Sequence, residues 1–189
     1  MVLLATLRHG DTAWSAEGRI QGRSDVPLSD AGRRALQNVQ LPRICADMRI
    51  ITSPLARCVE TAALLGAPQA EREPRIAEMS WGHWEGRRLA ELRAELGAAM
   101  HDNEAQGWDF RPDGGESPRD VLARVRGWLA ELSLPTLAIT HRGVIRALYA
   151  AAAGWDLRGK PPAKLDWSAV QLFQLGADGA PAIERLNLR

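Results

Sequence analysis

Histidine and arginine side chains follow short apolar runs at three places in the sequence. Arg8 and His9 end the first run, Arg57 comes shortly after the second, and His141 ends the third. Guanidinium groups bind phosphoryl oxygens through paired N–H donors, and a neutral imidazole supplies a nucleophilic nitrogen. If the three run ends meet in the fold, these residue types predict an anion site that contains a nucleophile.

Glycine follows two of the four histidines at close range. Gly10 comes directly after His9, and another glycine lies two residues after His141. A residue without a side chain lets the backbone approach a ligand closely. This setting favours a role in the site for His9 and His141, whereas His83 and His101 are interpreted as ordinary surface or core histidines.

Arg57 occupies a position where a cation is unfavourable. It lies in the first turn of a predicted helix, next to the positive end of the helix macrodipole. An anion held between the helix N-terminus and the guanidinium would explain this placement. An arginine whose head group simply reaches solvent explains it equally well.

Apolar runs typical of strands alternate with helical patterns along the chain, which predicts a mostly parallel sheet with helices on both faces. Strands are predicted at residues 2–7, 49–53, 135–141, 170–175 and 181–188, the last two partly antiparallel. Helices are predicted from Ser29 to about Val39, from Ser53 and Pro54 to Gly66, from Ser117, and after His141. Ligands bind beyond the carboxyl ends of the strands in such sheets, so the side chains at the three run ends are expected to converge.

Length and composition favour a single domain over residues 1–189. The chain has 189 residues, 46% of them hydrophobic, which is enough for a substantial core. Its formal net charge of +1 creates no strong field that would attract nucleic acid or a membrane surface. A long polar segment that contains glycine and proline, residues 101–116, is interpreted as a lid or substrate loop rather than a domain linker.

Cysteine usage and the first residues bear on location. Cys45 and Cys58 have neither CxxC nor metal-ligand spacing, which favours a reducing cytoplasm. The opening MVLLATL has no basic region and is too short for a signal peptide or a membrane span. We therefore predict a soluble, cytoplasmic protein.

Five sequence blocks, which together cover nearly the whole chain, carry a resemblance to a known family. They are LRHGDTAWSAEGRIQGRSDVPLSDAG, SPLARCVETA, EMSWGHWEG, GGES and THRGVIRAL. In this order they resemble the histidine phosphatase superfamily, which has the fold of phosphoglycerate mutase. The resemblance implies a three-layer α/β/α sandwich with a mostly parallel central sheet, and phosphoryl transfer through a phosphohistidine.

The resemblance also implies a role for each residue of the site. His9 matches the nucleophile and Glu78 the proton donor, and the phosphate pocket matches Arg8, Arg57 and His141. Two guanidinium groups and an imidazole can hold the equatorial oxygens of a transferring phosphoryl group without a metal. Neighbouring guanidinium groups lower the pKa of His9, and Glu78 must start protonated in order to protonate the leaving alkoxide and later activate water.

Five further residues lie at or near the pocket in this resemblance. Thr12 and Gln21 match positions that often line it, and Ser15 stands where asparagine is usual, so its contact to phosphate is shortened to a hydroxyl or lost. Arg142 stands where a small residue is common, and it either adds charge near the substrate or pairs with an acid. Glu116 either hydrogen-bonds pocket residues or stabilises the start of the helix that follows it.

Hydrolysis of a small phosphomonoester is the predicted reaction. The resemblance implies that mutases of this family are longer chains, in which an insertion and a C-terminal tail shield the phosphoenzyme from water. The present chain is short by comparison. A phosphoglycerate mutase-type phosphoryl transferase and a phosphate-binding module without catalysis remain alternatives. The expected partner is the small-molecule substrate, without nucleic acid or membrane, and a homodimer is left open.

A metal site is the remaining alternative from another class of chemistry. A metallohydrolase would use His9, Asp11 and His141 as ligands, but no further cluster of histidines or carboxylates completes a three-ligand set. We therefore expect a metal-independent enzyme without a cofactor.

Overall fold

A mixed six-stranded sheet lies at the centre of the computed structural model, which describes residues 1–189. The strands are β1 (Val2–Arg8), β2 (Arg49–Thr52), β3 (Glu71–Arg72), β4 (Thr136–Thr140), β5 (Val170–Leu175) and β6 (Pro181–Leu188). The helices are α1 (Ala13–Ala16), α2 (Asp30–Leu36), α3 (Ala56–Leu64), α4 (Leu89–Leu96), α5 (Ala98–Glu104), α6 (Pro118–Leu129) and α7 (Arg142–Ala153). Short 3-10 turns occur at Arg43–Cys45, Pro74–Ile76, Gly82–Trp84 and Gly107–Asp109.

The order of the strands confirms the prediction of a mostly parallel sheet. Across the sheet it is β3–β2–β4–β1–β5–β6, and the first four of these strands run parallel. The last two predicted strands are antiparallel, β5 to β1 and β6 to β5. The two-residue strand β3 was not predicted, because a segment of that length carries no periodicity.

Alternate residues of the central strands pack into different layers, which confirms the three-layer sandwich. Leu4 of β1 packs with α6 and α7 residues such as Val121 and Leu148, whereas Ala5 points to the opposite face. Ile139 of β4 contacts α3 on that opposite face. Because β4 is covered on both sides, all five of its residues are buried.

Three of the four predicted helix starts are confirmed, including that of α7 directly after His141, and one is wrong. The Ser29 hydroxyl caps α2, which ends at Leu36 rather than near Val39, and the Ser117 hydroxyl forms a capping box at the start of α6. Ser53 does not cap α3, which begins only at Ala56. The Ser53 N–H continues the sheet by donating to the Ile139 carbonyl at 2.9 Å, so the chain turns later than predicted.

Residues 101–116 do not form one long irregular loop. Their first part belongs to α5, because Met100 is buried and anchors that helix against Trp84 and Phe110. The Asn103 side chain then exchanges two hydrogen bonds with the Arg111 backbone, at 2.7 and 3.0 Å, which closes the following turn.

The two longest helices, α6 and α7, have 12 residues each. No helix of the fold combines the length and the apolar character that a membrane span requires.

Candidate active site

The carboxyl ends of three neighbouring parallel strands bring the predicted site residues together. Arg8 at the end of β1 pairs in register with Thr140 at the end of β4, and the His9 N–H donates to the Thr140 carbonyl at 3.0 Å. His141 follows directly, and the centroids of the two imidazole rings are 5.2 Å apart. The strand β2, on the other side of β4, leads into the helix that carries Arg57.

A cavity of about 340 Å³ opens at this edge of the sheet. It is lined by Arg8, His9, Ser15, Gly18, Arg19, Ile20, Gln21, Gly22, Arg57, Glu78, Trp81, Leu89, Arg142, Gly143 and Arg146. Of the residues predicted from the sequence, Thr12 and His141 lie behind this wall, and none of residues 101–116 reaches it. The lining therefore combines one histidine and one carboxyl with five arginines.

A second cavity, of about 370 Å³, is also lined by Arg8 and His9. Its other lining residues include Leu36, Val39 and Trp167. Arg57 and Glu78 line only the first cavity, so we place the candidate chemistry there.

The hydrogen bond of His9 determines which of its ring nitrogens is free. Its Nδ1 lies 2.7 Å from the carbonyl oxygen of Gly10, which can only accept, so Nδ1 carries the proton and Nε2 keeps its lone pair. Burial, and then the charges of Arg8 and Arg57, lower the pKa of His9 to about 3. The ring is therefore neutral near pH 7, with a nucleophilic nitrogen available.

The turn after His9 is tied to the helix that carries Arg57. The Gly10 N–H donates to Thr61 Oγ1 at 3.0 Å, and that hydroxyl donates to the Arg57 carbonyl at 2.6 Å. A Cβ atom at position 10 would lie 2.6 Å from Leu36, so Gly10 is required for close packing of α2 rather than for approach to a ligand.

Arg57 is fully buried in the first turn of α3, which excludes the alternative in which its head group reaches solvent. It donates to the carbonyls of Ser24 and Gly22, both at 2.8 Å. Its Nε–H has no partner, and it is the only buried side-chain nitrogen or oxygen of the protein in that condition. Burial lowers the pKa of Arg57, because two neutral carbonyls do not compensate for the loss of water around a cation.

Glu78 is buried, with 9% of its surface exposed, and its carboxyl group accepts two backbone hydrogen bonds. The donors are the N–H groups of Met79 at 2.8 Å and Gly143 at 3.0 Å. Burial raises the pKa of Glu78 even though these two donors oppose the change. A group of this kind can hold a proton at the start of a reaction and give it up later.

Gly143 allows the start of α7 to approach the Glu78 carboxyl. A Cβ atom at position 143 would overlap Glu78 Oε1 and would lie 3.2 Å from the Cβ of Met79. Gly143 was predicted to let the backbone approach a ligand, but in the structure it leaves room for the side chain of Glu78, the candidate proton donor.

Two arginines hold the backbone of Glu78 from behind. Arg23 Nε donates to the Glu78 carbonyl at 2.6 Å, and Arg124 Nη2 donates to the same oxygen at 3.1 Å. Both guanidinium groups form ion pairs with Glu116, which also accepts the Ser80 N–H at 2.9 Å. Of the two roles open to Glu116, the structure therefore shows the contact with residues around the pocket.

Sequence reasoning missed the positioning role of Glu85. Its carboxylate accepts the N–H groups of Arg23 at 2.8 Å and Ser24 at 2.9 Å, and the Ser24 hydroxyl at 2.6 Å. It thereby fastens the segment whose carbonyls hold Arg57. The only available signal was its place in the block EMSWGHWEG, which does not indicate which residues it contacts.

Thr12 and Ser15 form the capping box of α1. The Ser15 N–H donates to Thr12 Oγ1 at 3.0 Å, and the Thr12 N–H donates to Ser15 Oγ at 2.9 Å. The Thr12 hydroxyl also donates to Gln21 Oε1 at 2.9 Å, which orients the amide of Gln21 at the cavity wall. Thr12 is fully buried, so its place is structural, whereas Ser15 and Gln21 line the cavity.

His141 is fully buried next to His9. Its Nε2 is hydrogen-bonded to Ser53 Oγ at 2.7 Å and lies 3.4 Å from the Cys58 sulfur. Burial, and then the neighbouring His9, place the pKa of His141 well below its usual value. The residues His9, Asp11 and His141 are not gathered as a metal site, and no group of three or more His, Cys, Asp or Glu side chains has that arrangement.

Comparison with known proteins identifies the family of this chain. The sequence pattern of the histidine phosphatase superfamily (branch 1) matches residues 4–189, so the chain belongs to that superfamily. The implied fold and the resemblance stated from the five sequence blocks are thereby confirmed.

The relatives include both phosphatases and a mutase. A probable phosphoglycerate mutase from Cronobacter sakazakii is 34% identical, over 82% of this chain and 76% of that protein. A glucosyl-3-phosphoglycerate phosphatase from Mycobacterium tuberculosis is 32% identical, over 82% and 79% of the two chains. Among solved structures, a mycobacterial glucosyl-3-phosphoglycerate phosphatase superimposes with a TM-score of 0.77 at 25% identity, with complete coverage of both chains.

Proposed function

We propose that the protein is a phosphomonoester hydrolase that acts on a small phosphorylated metabolite through a phosphohistidine at His9. The observation that carries this proposal is the buried Arg57, whose Nε–H lacks a partner, in the same cavity wall as a neutral His9. A buried cation with a free donor fits an anion, and phosphate is the anion that the neighbouring nucleophile can attack.

In the first step, His9 Nε2 attacks the phosphorus atom in line with the ester oxygen. The N–P bond forms while the P–O ester bond breaks, and Arg8 and Arg57 hold the remaining phosphoryl oxygens as charge develops on them. His141 packs behind His9, where the centroids of the two rings lie 5.2 Å apart, and so helps to hold the His9 ring in place.

Glu78 moves the protons of both steps. Its raised pKa supports a protonated carboxyl that gives its proton to the leaving alkoxide. The resulting carboxylate then takes a proton from the water that attacks phosphohistidine, which releases inorganic phosphate and restores both residues.

Hydrolysis rather than transfer to a second acceptor is supported by the open side of the cavity. No residue of the segment 101–116, which was predicted to act as a lid, lines it. This segment therefore does not close the cavity over His9. The phosphatases among the relatives, including a phosphoserine phosphatase from Hydrogenobacter thermophilus at 30% identity, support the same choice.

The decisive experiment is a screen of purified protein against phosphomonoesters with detection of inorganic phosphate. We expect turnover by the wild type and by His101→Ala, whose side chain is 85% exposed, and none by His9→Ala. Quenched wild-type enzyme should carry phosphate that is labile in acid and stable in base. Full activity of His9→Ala would refute the phosphohistidine, phosphate retained on an organic acceptor would indicate a mutase, and binding without turnover would indicate a phosphate-binding module.

We also propose a cytoplasmic location. Cys45 and Cys58 are both buried free thiols, which is the state expected in a reducing compartment. Fractionation of the native cells would test this proposal directly.

A further inference from the structure

Three of the five cavity arginines have no anionic partner in the protein, and one of these three, Arg57, donates to two backbone carbonyls. By contrast, Arg8 Nη1 lies 3.6 Å from Asp11 Oδ1, and Arg19 Nε lies 2.6 Å from Glu17 Oε2. Arg142 and Arg146 have no carboxylate within 4.0 Å, and their side chains donate no hydrogen bond within the chain. Of the two roles open to Arg142, pairing with an acid is therefore wrong, and added charge at the cavity is what the structure shows.

Aromatic rings hold both of these guanidinium groups in place. The Arg142 Cζ atom lies 4.7 Å from the centroid of Trp167, and the Arg146 Cζ atom lies 5.1 Å from that of Trp155. The Trp155 ring is fixed in turn, because its Nε1–H donates to the Arg158 carbonyl at 2.8 Å. Stacking on a ring restrains a guanidinium while its N–H groups at the edge stay available to an acceptor.

The sequence places these charges against two local preferences. Arg142 is in the first turn of α7, where the macrodipole disfavours a cation. Arg146 follows four residues later, on the same face of the helix, where like charges repel. An anion bound between them would relieve both effects.

The position of the pair relates it to the leaving group of the proposed reaction. Both arginines line the cavity that contains His9, and the residue next to Arg142, Gly143, donates its N–H to Glu78. Because Glu78 is proposed to protonate the leaving oxygen, the wall of α7 lies beside the part of the substrate that departs. Arg146 extends that wall by about one helical turn, roughly 5.4 Å.

We propose that Arg142 and Arg146 form a second anion subsite that binds a carboxylate or phosphate on the leaving-group part of the substrate. This inference rests on the proposed phosphatase function and specifies its substrate class. Preferred substrates are phosphomonoesters that carry a second acidic group. Phosphomonoesters whose alkyl part is uncharged are poor substrates.

Two pairs of substrates that differ by one carboxylate test the subsite. They are 3-phosphoglycerate against glycerol 3-phosphate, and phosphoserine against phosphoethanolamine. We expect kcat/KM to be higher for the acidic member of each pair, by about 10- to 100-fold, which is the range for charge-assisted hydrogen bonds. The preference should decrease as salt is raised, because ions screen exposed charges.

Charge-removing variants connect the preference to the two arginines. Arg142→Gln and Arg146→Gln should each reduce the ratio of the two kcat/KM values, Arg142→Lys should retain part of it, and Arg34→Gln, at an exposed site outside the cavity, should leave it unchanged. Equal kcat/KM values for both members of each pair in the wild type would overturn the subsite but not the phosphatase. Absence of turnover on every phosphomonoester would instead refute the proposed function itself.

Discussion

Burial shifts the pKa values of the two proposed catalytic residues in opposite directions. It lowers that of His9 to about 3, with help from Arg8 and Arg57, and it raises that of Glu78. Both changes favour the uncharged form of the group. The two shifts therefore favour a neutral nucleophile and a protonated acid in one site, which is the combination that the first step of the proposed reaction requires.

Glu78→Ala should affect substrates according to their leaving group. Alkoxides are poor leaving groups and need a proton, whereas the phenolate of p-nitrophenyl phosphate leaves unaided. Loss of a general acid costs about 10²- to 10⁴-fold in rate, so formation of the phosphoenzyme should slow by that factor for an alkyl phosphate and by much less for the aryl ester. Rapid-quench measurement of this first step separates it from the later attack of water.

His9→Ala provides the matched control for this comparison. It removes the nucleophile and should abolish both reactions alike. Equal losses for the alkyl and aryl substrates in Glu78→Ala would assign Glu78 a structural role and require another proton donor.

At the scale of elements, the N-terminus of α7 positions Glu78 through contact at short range. The Gly143 N–H donates to the carboxyl group at 3.0 Å, and no space remains for a side chain at position 143. The helix, the carboxyl group and the backbone clamp formed by Arg23 and Arg124 therefore act as one unit. A change in α7 is expected to reach the chemistry without unfolding the helix.

Gly143→Ala separates stability from activity at this contact. Alanine is favoured over glycine inside a helix by about 1 kcal/mol, which offsets part of the cost of the steric conflict. The new methyl group displaces the Glu78 carboxyl, so we expect alkyl phosphate hydrolysis to fall about as far as in Glu78→Ala. Thermal unfolding should show that the variant remains folded.

Gly127→Ala is the control, because this glycine is also helical, in α6, and has no atom within 4 Å of an added Cβ. It should retain full activity. Wild-type activity in Gly143→Ala would show that Glu78 does not depend on its contact with α7.

At the scale of the whole molecule, the site makes stability depend on pH. His9 and His141 are buried and neutral, and burial lowers the pKa of both. The unfolded chain therefore binds protons below about pH 6.5 that the folded protein does not bind, and the free energy of unfolding falls as the pH is lowered. Glu78 acts in the opposite direction, because its raised pKa favours the folded state on acidification, but one carboxyl opposes two histidines.

Urea unfolding at pH 7 and pH 5 measures this effect. We expect the wild type to be less stable at pH 5, and His9→Asn to reduce the difference by up to about 2 kcal/mol, as linkage requires for one histidine that stays neutral when folded. Glu78→Gln should increase the difference, since it removes the opposing carboxyl. A wild type that is equally stable at the two pH values would contradict the neutral, buried state of both histidines.

Local patterns were sufficient for the order of five of the six strands and of helices α2, α3, α6 and α7, and for the residues at the ends of those strands. The apolar run before His9 and the run before His141 are strand signals that depend only on neighbouring residues, and the caps at Ser29 and Ser117 are equally local. Because parallel strands present their carboxyl ends at one edge of the sheet, His9 and His141 were predicted to lie close together. The fold and the convergence of His9, Arg57 and His141 were accessible in this way, whereas Glu78 was predicted only from the family resemblance.

The tertiary structure decided what each side chain contacts. Ser53 is bonded to His141, 88 positions away, instead of capping its own helix, and Glu116 reaches back 93 positions to Arg23. The Arg142 guanidinium group stacks on the indole ring of Trp167 and has no carboxylate within 4.0 Å. These contacts depend on the packing of layers that come together only in the folded chain, and no local spacing in the sequence specifies the direction of a side chain across such distances.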